Sequence, residues 1–333
     1  MAYSSVGRPI FYIDNYLYRK TLGVSTVSYN YLSTNPSFQK IYTEDTLIPA
    51  NLEGYDFSGN MKFFIAILNH DLYGQEDQSI INPFTITNTA SDLVEEDVSS
   101  NFTEVLNGGS TGNGFTPLNG STILTSSNEY NNISVNVPFN VGSINTGVQY
   151  TMPHSPDLKL NMEIEFDGIK TITTSGGGSI SNVQYTGNPL WSSGGNSHNP
   201  FEVYESSLSS ARARRNGRKS WSLKFSYVSD SDLFASNPKT SSYTEHPNDS
   251  TYESSDLLGS GSSSYLGYNI DTDDSFYAQV WNKTLGGALP FMFQPDSRNN
   301  DDFYMCKFKQ DSLKVSQDAF KSYSISLTIV EVW

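Results

Sequence analysis

One cysteine, Cys306, stands in a chain of 333 residues. That excludes an intramolecular disulfide framework and any metal site built on clustered cysteines. No apolar run approaches the length of a bilayer-spanning helix, so no membrane insertion is expected. The opening, MAYSSVGRPIFYIDNYLYRK, lacks a basic stretch leading into an apolar one closed by small residues, and it is read as carrying no signal peptide. Charge is scarce: 17% of residues are Asp, Glu, Lys or Arg, where a typical domain has about a quarter. Catalytic signatures are missing too. His70, His154, His198 and His246 are far apart and form no HExxH or His-x-His pattern. No Gly-x-Ser-x-Gly elbow marks a nucleophile, and the glycine-rich stretches 108–120, 176–178 and 259–267 lack the Gly-Lys-Ser/Thr of a phosphate loop.

What fills the chain instead is Ser, Thr, Asn and Gly, with 21 Tyr and 19 Phe raising the aromatic share to 13%. Such a composition favours strands and loops over long helices. The net charge of −15 argues against general affinity for nucleic acid. It is unevenly spread: RARRNGRK, residues 212–219, carries five positive charges, which leaves the remainder at −20.

Period-2 alternation recurs along the chain. ISVNVPF (133–139) and LKLNMEIEF (158–166) both alternate, the latter through Leu158, Leu160, Met162, Ile164 and Phe166. WSLKFSYV (221–228) sets Trp221, Leu223, Phe225 and Tyr227 on one side. The closing YSISLTIVEVW (323–333) sets Tyr323, Ile325, Leu327 and Ile329 on one side. Trp221, Phe225, Ile325 and Leu327 are therefore expected in the core. Phe63–Leu68 is a continuous apolar run of strand length, and FYMCKF (303–308) a further strand, which makes Cys306 a buried, inert thiol. DDSFYAQVWNKTLGG reads as the one helix, over 273–286, with an Asp/Ser start and Gly286-Gly287 as its stop. These signals predict an all-β chain: an antiparallel β-sandwich of jelly-roll type with long loops and one short helix near the C-terminus. The expected division is an extended arm over 1–45, a sandwich over 46–200, and a β region with the helix over 201–333. The polar stretch 229–270 is too long for a plain connection and is expected as a surface excursion.

The acidic clusters Glu95-Glu96-Asp97, Asp271–Asp274 and Asp301-Asp302 sit on adjacent residues, which does not place two carboxylates across a cleft as glycoside hydrolysis needs. Helix capping accounts for Asp273 and Asp274, and no twelve-residue calcium loop surrounds them. The expectation is no catalysis, no metal and no cofactor. The sharpest local feature is the basic block, Arg212, Arg214, Arg215, Arg218 and Lys219. Three readings fit it: a contact onto an acidic neighbouring copy, a solvated loop, or a nucleic-acid patch. The acidic remainder of the chain favours the first.

FFIAILNHDL resembles the apolar strand followed by Asn-His-Asp-Leu found in jelly-roll modules of tailed-phage tail proteins. RRNGRKSWSLKFSYVSDSDLF is similar to their basic, Trp and alternating-strand element. TLGGALPFMFQPD, FYMCKFKQDSL and YSISLTIVEVW together resemble the C-terminal end of minor tail and distal tail (baseplate) proteins. The likeness covers 60–75 and 212–333, under half the chain. It implies a ring-forming β protein at the tail tip, without catalysis. Its partners would be itself and other tail proteins, and its place the virion, after assembly in the host cytoplasm. The competing reading is a carbohydrate-binding module that stacks host surface glycans on aromatic platforms, with Trp191 in the loop NPLWSSGG as the platform.

Overall fold

The structure, a computed structural model, describes residues 6–22, 39–41, 46–49, 59–70, 85–89, 95–97, 103–108, 120–127, 132–136, 139–141, 143–158, 160–165, 169–183, 218–234, 273–299 and 303–332. In chain order the strands begin with β1 (Ile10–Asp14), β2 (Gln39–Ile41), β3 (Thr46–Pro49), β4 (Met61–His70), β5 (Thr85–Thr89), β6 (Glu95–Asp97) and β7 (Thr103–Gly108). There follow β8 (Gly120–Ser126), β9 (Asn132–Asn136), β10 (Phe139–Val141), β11 (Ser143–Thr151), β12 (Asn161–Glu165), β13 (Ile169–Thr173) and β14 (Ser179–Val183). The last are β15 (Arg218–Ser229), β16 (Phe291–Gln294), β17 (Tyr304–Phe308), β18 (Val315–Ala319) and β19 (Ser322–Glu331). Among the described residues helices are few and short: α1 (Asn15–Thr21), α2 (Asp230–Leu233) and a π-helical turn at Tyr277–Asn282. The chain is all-β, and its strand pairs are antiparallel throughout the described residues.

Eleven strands make the main sheet, in the order β12-β15-β19-β17-β16-β1-β11-β4-β8-β7, with β18 also on β19. Smaller sheets are β3-β9-β5-β6, β10-β2 and the hairpin β13-β14. One face of the large sheet carries the alternating residues that the sequence marks. Trp221, Phe225, Ile325 and Leu327 are all buried, as expected. The sheet is strongly rolled. Trp221 meets Phe293 at 5.5 Å between ring centroids, although β19 and β17 lie between their strands. His154, just past β11, reaches the Phe225 ring on β15. Inside the roll Phe11 packs against Phe276, Phe291, Phe293 and Phe308, with centroids 5.3 to 6.0 Å apart. Each such side chain contributes about 1.5–3 kcal/mol by leaving water.

Three differences from the sequence reading have physical causes. Ile10–Asp14 is no extended arm: it pairs with β11 on one side and β16 on the other, and all five residues are buried. A strand covered on both faces shows no alternation, so its pattern is silent. The boundary at 200 is crossed by the sheet itself, since β12 pairs with β15. The helix expected over 273–286 is one π-helical turn, Tyr277–Asn282, closed by Gly286 and Gly287 at positive φ. Its start is held by Asp273, which accepts from the Ser275 N–H at 3.0 Å, and by Ser275 Oγ, which accepts from the Ala278 N–H. The turn is not amphipathic. Gln279 and Lys283 are as buried as Val280, and the Lys283 ammonium donates to Gln279 Oε1 at 2.7 Å.

Gly7 shows how tightly the start of the chain is docked. A Cβ there would run into the Asp296 carboxylate, which would have to move aside; Gly7–Pro9 lies along the loop after β16, where Ser297 N–H donates to Arg8 O.

Candidate functional site

The basic block enters the described structure at its last two residues. Arg218 opens β15 opposite Glu165, and Lys219 follows opposite Ile164. Arg212, Arg214 and Arg215 lie outside the described residues, as does Trp191. Lys219 is half-buried and tied into the sheet. Its ammonium donates to the Tyr304 hydroxyl at 2.5 Å and lies 4.5 Å from that ring's centroid. Its backbone N–H donates to Glu331 Oε2 at 3.0 Å. Lys219 is thus an internal tie between β15, β17 and β19 at the place where the basic segment joins the sheet.

Beside this junction runs β12, at one end of the large sheet. The register sets Met162 opposite Trp221 and Ile164 opposite Lys219, and cross-strand partners share a face. Met162 and Ile164 therefore continue the core face outward. Leu160 is partly buried against the core, but Met162 is 58% exposed and Ile164 44%. The sequence pattern found this strand and missed that its apolar face is uncovered; periodicity reports a face, not its neighbour. A signal was present in the glutamates at 163 and 165, which mark the opposite side as wet. Glu163 is exposed. The segment leading into β12 is pinned to β15: Asp157 accepts from the Ser226 hydroxyl at 2.7 Å and from its N–H at 3.3 Å, and the Asp157 N–H donates to Lys224 O.

Among the described residues neither histidines nor acids converge. His70 closes β4 opposite Gly120, and His154 sits half-buried with Nδ1 2.7 Å from Ser155 O. His198 and His246 lie outside the described residues, as do Asp271, Asp301 and Asp302. Glu95–Asp97 form β6, in a different sheet from β15. Among the described residues no three His, Cys, Asp or Glu stand together as metal ligands, and no helix is long and apolar enough to cross a membrane. Cys306 is buried opposite Glu331 in the register of β17 and β19. Burial pushes its thiol well up, and the Glu331 carboxylate adds to that. What the β12–β15 edge can offer is a binding face: a strand edge, an apolar strip and acidic residues. No family model, curated protein or solved structure matches the chain.

Proposed function

We propose that the chain is a structural component of a bacteriophage tail tip or baseplate, which self-assembles with neighbouring copies and joins other tail proteins in the virion. The observation that carries this reading is β12 at the end of the large sheet, with exposed Met162 and Ile164 and no partner strand on its outer side among the described residues. An edge strand with exposed apolar residues is a template for another chain, and proteins that stay monomeric blunt such edges. A rigid, rolled β body with an aromatic core suits a load-bearing role, and the family likeness supplies the setting. In this proposal the roll corresponds to the jelly-roll modules of tail proteins. It performs no chemistry, binds neither nucleic acid nor a cofactor, and does not insert into membranes.

A specific observation keeps carbohydrate binding as the second reading. Tyr227 is 77% exposed on β15, where a flat aromatic can stack on a sugar ring. Native mass measurement with negative-stain imaging of the pure protein separates the two. Rings or other closed oligomers are the expected result. A monomer that binds a glycan array would replace the structural reading with the second.

A further inference from the structure

Large apolar side chains stand exposed at eight described positions, and five of them, Leu158, Met162, Ile164, Ile172 and Ile180, fall between residues 158 and 180. Two are on β12. The last two face each other in register on the β13–β14 hairpin, which pairs with no other strand among the described residues. A lone two-stranded ribbon is marginal in water and gains stability by laying an apolar face on something. The β12 edge is an apolar strip with no partner strand on its outer side among the described residues.

We propose that the outer edge of β12 receives the basic segment Arg212–Arg214 of a second copy of the chain. The inference rests on the assembly reading above and names its contact. The chemistry of the two sides matches. β12 alternates Met162, Glu163, Ile164 and Glu165, while the segment alternates Arg212, Ala213 and Arg214. A strand that sets its two arginines on the glutamate face sets Ala213 on the face of Ile164, so charge and bulk agree at once. Two β12 edges paired with each other about Glu163 or Ile164 would set glutamate against glutamate, a like-charge opposition that disfavours those registers. The chain's own segment joins β15 on the inner side of β12, about 10 Å, or two strand spacings, from the outer position. A neighbour reaches it without that crossing. Donor and acceptor are different surfaces, so the contact is head-to-tail and closes into a ring or runs on as a filament.

The test uses charge reversal in the full chain, read by native mass and light scattering. Glu163→Arg spoils the acceptor, and the pair Arg212→Glu and Arg214→Glu spoils the donor. Glu163 is exposed, so circular dichroism should be unchanged; Met162→Lys is the second acceptor variant should Glu163→Arg misfold. Each variant alone should associate about tenfold or more weakly than wild type, the size of a lost interfacial charge pair. Mixed in equal amounts, the two reversed chains should assemble again, because the new arginine faces the new glutamates. Variants that assemble like wild type, or a mixture that stays monomeric, would overturn this contact, the latter pointing to docking within one chain. Wild type that assembles alongside an equally assembling Glu163→Arg chain removes this surface and leaves the structural function standing. Wild type that is monomeric at low salt removes both.

Discussion

Lys219 and Tyr304 are joined twice, by a 2.5 Å hydrogen bond from ammonium to hydroxyl and by the ammonium's position 4.5 Å from the ring centroid. Tyr304 is itself packed on Trp221, centroids 4.8 Å apart. The last residue of the basic block is therefore part of the sheet's packing. Lys219→Ala should lower stability by about 1–2 kcal/mol, the scale of a charge-assisted hydrogen bond with a cation–π contact. Denaturant titration should show an earlier midpoint at the same slope. Assembly of the remaining folded protein should keep its sensitivity to salt. An unmoved midpoint would show the contact to be energetically idle.

Phe225 is fully buried on the alternating face of β15, opposite Ile325 on β19. Removing its ring leaves a cavity inside the roll, so Phe225→Ala should cost about 3–5 kcal/mol. Met162→Ala, on the exposed end of the same face, should cost less than about 0.5 kcal/mol. Thermal melts of the two variants side by side check the assignment of one face to core and to edge. Equal shifts would contradict it.

That contrast also shows where a sequence can be read. Trp221, Phe225, Ile325 and Leu327 were legible because β15 and β19 carry polar residues between them, and an alternating strand announces its inner side. Ile10–Asp14 was not legible, because burial on both faces erases the alternation. Met162 and Ile164 follow the same period as Phe225, yet stand in water. Their exposure depends on which strand ends the sheet, and that is set by pairings between distant segments. Gln279 and Lys283 look like the wet side of a helix in sequence. Inside the roll Lys283 donates to Gln279 Oε1 and Gln279 Nε2 donates to Asp273 O, contacts without periodic signature. The basic block was visible as charge, but the inward turn of Lys219 depends on Tyr304, 85 residues away.

Asp296 supplies a pH dependence. Arg298 holds its carboxyl down to about 2, chiefly through side-chain hydrogen bonds from Nε at 3.1 Å and Nη2 at 2.9 Å, with help from the Arg298 and Gly7 backbone N–H groups and against partial burial. A carboxyl lowered in the folded state stabilises it above the unfolded value of about 3.9. That contribution is lost as pH falls through about 2. Arg298 is more than half exposed, so water screens the pair and its effect is small. Asp296→Asn should flatten the acid limb of stability between about pH 4 and pH 2, measured by denaturant midpoints along that range. A limb as steep as that of wild type would place the acid sensitivity elsewhere.

Cys306 offers a readout of global opening. Burial raises its thiol far from the reactive range, and Glu331 opposes the thiolate further. A thiol-specific reagent at neutral pH should leave the folded chain unmodified and label one cysteine per chain once denaturant unfolds it. The labelling midpoint should coincide with that of circular dichroism. Fast labelling of native protein would mean that β17 is accessible and that the roll opens locally.

Tyr227 carries backbone strain that its packing does not repay. It sits at φ 65° inside the bulge where the β15–β19 register slips between Phe225 and Val228. That left-handed conformation costs an L-residue with a bulky side chain about 1–2 kcal/mol, whereas glycine enters it freely. A buried ring could offset the cost, but this ring is largely in water. Tyr227→Gly should therefore stabilise the fold by about 1 kcal/mol or slightly less, since glycine also gives the unfolded chain more freedom to lose. The same substitution removes the exposed aromatic that the carbohydrate reading would use. The glycine variant should thus melt higher and assemble as wild type does. A lower melting point would mean that the ring makes contacts that offset the strain. A variant that melts higher yet loses binding on a glycan array would show that the strain is kept for a ligand, and would favour the second function over the first.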